Sequence, residues 1–116
     1  VEVTIIGRHK EVPADVKSYI EGKAVKLPHY YDRVMTAQVI LDDAGPLKKV
    51  ELVVGVAGHE DFVAQEKGAE LFACFDICMD RMENQLRRFK EKVRDNKHKT
   101  PTSGTGVVVE AEAESK

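Results

Sequence analysis

Eight cationic side chains, Arg81, Arg87, Arg88, Lys90, Lys92, Arg94, Lys97 and Lys99, lie between Met79 and Thr100 against four carboxylates, Asp80, Glu83, Glu91 and Asp95. The segment carries a net charge of +4, whereas residues 1–78 carry −4 and residues 101–116 carry −2, so the formal total of −2 conceals a local cationic region. Such a concentration suits phosphate recognition, because guanidinium forks bind phosphate oxygens in pairs and ammonium groups act as point charges. Interleaved with the cations, Leu71, Phe75, Cys78, Met82, Leu86, Phe89 and Val93 recur every three or four residues. That spacing predicts one continuous helix from Leu71 to Lys99 with a single apolar face. At about 100° per residue, Arg81, Arg88 and Lys92 form one ridge beside the apolar stripe, with Lys90, Lys97, Arg87 and Arg94 on the other side. Ridges of positive charge along a rod are able to follow a phosphate backbone, whereas a plain solvated helix face would carry the same residues without that role.

Other chemistries find little support in the residue pattern. His9, His29, His59 and His98 occupy separate turns or the end of the last helix, and no two have metal-ligand spacing, so no metal or other cofactor is expected. Gly55, Gly58 and Gly68 make no phosphate-cradling loop, and Ser18, Ser103 and Ser115 have no companions for a hydrolytic triad. Cys74 and Cys78, one helical turn apart, are poorly placed for a disulfide and are expected to be small buried hydrophobes. A non-enzymatic protein without a small-molecule substrate is the expectation. No run has the length of a membrane span and no signal peptide is evident, so a cytoplasmic location is expected.

The rest of the chain must position the helix. With 116 residues, 42% hydrophobic and 33% charged, it suits one modest core. Val1–Ile6 alternates as a first strand, and Pro13 opens a helix whose face is Val16, Tyr19, Ile20, Ala24 and Leu27, stopped by Pro28. Lys23 and Lys26 flank that face. A second strand places Met35, Ala37, Val39 and Leu41 inward, and Asp43–Pro46 turns into a third, Lys49–Val56, with Val50, Leu52, Val54 and Val56 inward. Gly58–Asp61 turns again into a short fourth strand, Phe62–Glu66. The order is βαβββα: an α+β two-layer sandwich, a four-stranded sheet with both helices on one face. Residues 1–99 form the domain, and residues 100–116 are expected to be a flexible acidic tail with one apolar run, Val107–Val109.

With element order and helix in place, residues 1–99 resemble the ribosome hibernation-promoting factor family, which includes ribosome-associated inhibitor A. The resemblance rests on the first strand ending in Gly7 with Glu11-Val12 beyond, on Lys23–Val34, and on Glu70–Asp76 followed by Asp80–Leu86 and Lys90-Glu91-Lys92. It implies a fold similar to a double-stranded-RNA-binding domain. It also implies binding to the small ribosomal subunit, through ribosomal RNA, in the channel where messenger and transfer RNA sit at the A and P sites. The expected activity is inhibition of translation under stress or in stationary phase. Matching positions are Lys23, Lys26, Arg81, Arg88 and Lys92, with Arg87 and Lys90 added, and Arg33 and Arg8 placed in turns. Tyr31 matches an aromatic position that either packs under the first helix or stacks on a base. Pro13 departs from the usual Ser or Thr cap. The short acidic tail resembles the family's short form, which is expected to be monomeric when free. Two other functions fit the same residues: a stand-alone double-stranded-RNA-binding module, and a protein-interaction domain.

Overall fold

The computed structural model describes residues 1–102, with side chains described through Arg94. The elements are β1 (Glu2–Gly7), α1 (Ala14–Ala24), a short 3-10 turn (Leu27–His29), β2 (Val34–Ala44), β3 (Leu47–Val56), β4 (Phe62–Gly68) and α2 (Leu71–Thr102). The sheet order is β1-β2-β3-β4, with β1 parallel to β2 and the two later pairs antiparallel. A helix between β1 and β2 is what a parallel pair requires, since two parallel strands need a crossover. Gly45 (φ 64°) and Gly58 (φ 78°) supply the left-handed conformations that reverse the chain before β3 and before β4. The expected α+β sandwich is therefore the observed one.

Alternation along the strands sends Val39, Leu41, Val50, Leu52, Val54 and Ala64 to one face, where Ile20, Ala24, Phe75, Cys78, Met82 and Leu86 of the helices cover them. Among the described residues no helix covers the opposite face, with Thr4, Gln38, Val53 and Gln65. α2 lies over β3 and β4 and runs from the Gly68 end of the sheet toward the Phe62 end. At about 1.5 Å per residue its 32 residues span about 48 Å, longer than the strands beneath it, so its C-terminal turns continue beyond the sheet.

Three sequence expectations are corrected. Met35 does not face the core: it is 58% exposed and Val34 is buried instead, because a bulge between Val34 and Thr36 shifts the alternation by one residue. Leu27 is buried but lies outside α1, which ends at Ala24, and Pro28 sits inside the 3-10 turn instead of stopping the helix. α2 extends to Thr102, past Lys99. The tail expected from residue 100 lies, from residue 103 onward, outside the described residues, as does Val107–Val109.

Candidate nucleic-acid interface

α2 is fastened to the rest of the domain at two levels. Near its start, Tyr19 of α1 meets Phe72 and Phe75 edge-on, with ring centroids 4.6 and 6.2 Å apart. One turn further, Asp76 accepts hydrogen bonds from the Tyr19 hydroxyl (2.8 Å) and the Lys23 ammonium (2.9 Å). Partial burial pushes the Asp76 carboxyl up, but the hydrogen bonds from Lys23 and Tyr19 outweigh it and hold it below the usual carboxylate range. The same interactions, with Tyr19 first and Asp76 second, hold Lys23 above the usual lysine range. At the far end of the sheet, Phe89 packs against His59 (4.4 Å), Phe62 (5.3 Å) and Tyr31 (5.4 Å). Tyr31 is buried in this cluster, so it packs under α2 and presents no face to a base. The cations of the last turns thus stand on a rod whose direction is set by two aromatic anchors.

The cationic ridge beside β4 divides into two parts. Arg81 donates to the Gln65 carbonyl and pairs with Glu66 (3.1 Å), and Gln85, one turn on, donates to the Val63 carbonyl (3.0 Å). These are outward carbonyls of an edge strand, so Arg81 and Gln85 cap the edge that would otherwise invite another strand. Arg88 and Lys92 continue the ridge, exposed and without an ion pair among the described residues. On the side facing α1, Arg87 pairs with Glu83 (2.7 Å) and lies over the Tyr30 ring, 5.7 Å from its centroid. Arg87, Lys90 and Arg94 share an open cleft with His29, Tyr30 and Glu91. Partial burial pushes the Tyr30 hydroxyl up, Glu83 adds to the shift, and Arg87 opposes it.

The remaining expected residues are placed differently. Lys23 and Lys26 line a second cleft with Tyr30, Met79, Asp76, Asp80 and Glu83, where three carboxylates face two ammonium groups. Arg33 is exposed in the turn before β2, and its carbonyl accepts the Ala57 amide (3.2 Å), at the end of the sheet where Phe89 is anchored. Arg8 lies at the other end, beside Ile40, Asp42, Lys49 and Glu51 on the open face. The structure therefore brings Arg87, Arg88, Lys90 and Lys92 onto one length of helix, engages Arg81 and Lys23 in the domain itself, and sets Arg8 apart. His29 and Tyr30 join the cationic cleft without having been expected there, and Arg94, read on the helix ridge but not among the family-matched positions, joins it too. Arg94 repeats Arg87 after seven residues and is legible on the helix, but His29 and Tyr30 reach it only through tertiary contact.

Cys74 and Cys78 are free and buried. Burial pushes the Cys78 thiol up to about 12 and raises Cys74 as well, which makes both poor nucleophiles. Among the described residues no group of His, Cys, Asp and Glu is arranged to hold a metal, and no helix is long and apolar enough to cross a membrane.

The fold and the site together define a four-stranded α+β sandwich whose last helix carries a row of exposed cations toward its C-terminal end. Residues 3–94 match the family described as "Sigma 54 modulation protein / S30EA ribosomal protein", and the chain belongs to that family. It is 30% identical over 92 residues to the ribosome hibernation promoting factor of Azotobacter vinelandii, covering 79% of this chain and 85% of that protein. It is 32% identical over 91 residues to the ribosome hibernation promotion factor of Deinococcus radiodurans, covering 74% of this chain but 47% of the relative. The N-terminal domain of Thermus thermophilus Protein Y superimposes with a TM-score of 0.68 at 32% identity, over 77% of this chain and 99% of that one. Because the match includes relatives of both extents, it supports the family as a whole and not the short form in particular.

Proposed function

We propose that this domain binds the small ribosomal subunit through ribosomal RNA and holds the ribosome in a resting state, occupying the channel used by messenger and transfer RNA at the A and P sites. The observation that carries this reading is the distal half of α2, where Arg88 and Lys92 stand exposed on one side and Arg87, Lys90 and Arg94 on the other. Relatives named as ribosome hibernation promoting factors support the choice of partner. The mechanism is competitive occlusion. Cations displace condensed counterions from the RNA, phosphate contacts set position, and the shape of the folded RNA supplies selectivity.

Lys23 and Lys26 contribute at the margin of this surface, since the carboxylates of their cleft offset them, and Arg33 extends it from the neighbouring turn. The test is co-sedimentation with purified small subunits across a salt series, with and without bound initiation complexes. Binding that falls steeply with salt, is lost in the Arg88→Glu/Lys92→Glu double variant and is blocked by initiation complexes is the expected result. Equal affinity for small subunits and a plain RNA duplex would point instead to a stand-alone duplex-binding module. Retention unaffected by the double variant would point to a protein-interaction domain.

A further inference from the structure

We propose that the open face of the sheet carries a second phosphate-binding patch, built by Arg8, Lys49 and Lys67, which contacts RNA backbone at a place separate from α2. The register puts Lys49 of β3 directly opposite Lys67 of β4, with Asp42 of β2 on the other side of Lys49. Arg8 completes the row from the end of β1, where it lines a shallow depression with Ile40, Asp42, Lys49 and Glu51. Strand spacing of about 4.8 Å makes this a transverse row of three cations and one carboxylate, with a second carboxylate, Glu51, next to Lys49 in the depression.

The Lys49–Lys67 juxtaposition is close. The Val63 and Gln65 carbonyls accept hydrogen bonds from α2 and so point away from β3, which makes their positions, and Lys67 two residues on, members of non-hydrogen-bonded pairs. In such pairs the Cα atoms approach to about 4.5 Å and the side chains lie nearest each other. Like charges directly opposite destabilise a sheet. Asp42 and Glu51 partly offset Lys49, and Glu51, diagonal to Lys67 across the β3–β4 pair, partly offsets Lys67 as well, but among the described residues neither lysine nor Arg8 forms an ion pair. A lysine on an edge strand often serves to deter strand addition. Here Arg81 and Gln85 cap the Gln65 and Val63 carbonyls of that edge, and a phosphate seated between the two ammonium groups relieves their repulsion.

The patch takes its ligand class from the RNA-binding reading of α2. The two are separated by measuring Lys67→Glu and Arg88→Glu side by side in the full chain, with purified small ribosomal subunits as the probe. Lys67→Glu turns a like-charge pair into an opposite-charge pair, so its thermal midpoint is expected to rise by about 1–5 °C. At the same time its binding weakens and the slope of log affinity against log salt flattens by at least about 0.7. Greater stability with weaker binding excludes misfolding as the cause. Weaker binding by Arg88→Glu alone, with Lys67→Glu equal to the parent, overturns the patch and leaves the α2 reading standing. Unchanged binding by both variants overturns both.

Discussion

Arg81 and Arg88 sit two turns apart on the same helical ridge, and replacing each by alanine separates two jobs that look identical in the sequence. Arg81 is 51% exposed, donates to the Gln65 carbonyl and pairs with Glu66 at 3.1 Å. A hydrogen bond from a charged donor contributes about 1.5–3 kcal/mol when buried, and exposure reduces that to about 1 kcal/mol. The ion pair adds a few tenths, and alanine returns about 0.2 kcal/mol through its helix propensity. Arg81→Ala is therefore expected to cost about 1 kcal/mol and lower the thermal midpoint by about 4–8 °C. Arg88 touches no ionic partner among the described residues, so Arg88→Ala is expected to stay within about 0.5 kcal/mol of the parent. On small subunits the order reverses. Arg88→Ala reduces the salt slope by about 0.7–0.9, while Arg81→Ala leaves it unchanged at temperatures where the variant is folded. Urea melts and salt-dependent co-sedimentation of both variants decide the matter. If Arg81→Ala flattened the salt slope without loss of stability, the edge-capping role would be refuted.

Three further outcomes follow from the geometry. Asp76 has a depressed carboxyl, so its stabilisation is present above the ordinary carboxylate pKa of about 3.9 and is lost as pH falls through its lower folded-state value; the drop in urea midpoint from pH 7 to pH 3 should be smaller in Asp76→Asn. Cys78, pushed up to about 12, and the buried Cys74 should resist a disulfide reagent at pH 8 and react promptly in denaturant; fast labelling of native protein would contradict their burial. Phe75, fully buried between the helices and the sheet, should cost about 3–5 kcal/mol as Phe75→Ala, a large part of a small domain's stability, and the variant should melt far below the parent in calorimetry.

Belonging to a family did not by itself distribute the cations among their tasks. The residues expected from the sequence to face RNA divide in this structure between exposed ones, Arg88, Lys90 and Lys92, and ones already engaged by the domain, Arg81 and Lys23. Arg87 holds an intermediate place: its pairing with Glu83 within one helix is the kind of exposed i,i+4 contact that contributes only a few tenths of a kcal/mol. His29 and Tyr30 show the opposite case, residues with no cationic signature of their own that complete the cleft around Arg87 and Arg94.

The element order, the inward faces of β3 and β4 and the amphipathic rise of α2 were all readable in residue order, because periods of two and 3.6 are properties of a local backbone. So was the cationic character of the last helix, since charge is additive along a segment. Residue order did not reveal the bulge that exchanges Met35 for Val34, because a one-residue slip leaves both candidates apolar and only the pairing with β3 chooses between them. Nor did it reveal that Lys23 meets Asp76 across 53 residues, that Arg81 caps β4, or that Lys67 faces Lys49. Whether a cation is free for a ligand depends on which carboxylates and carbonyls the fold brings within a few ångströms, and that distance exists only once the chain has closed on itself.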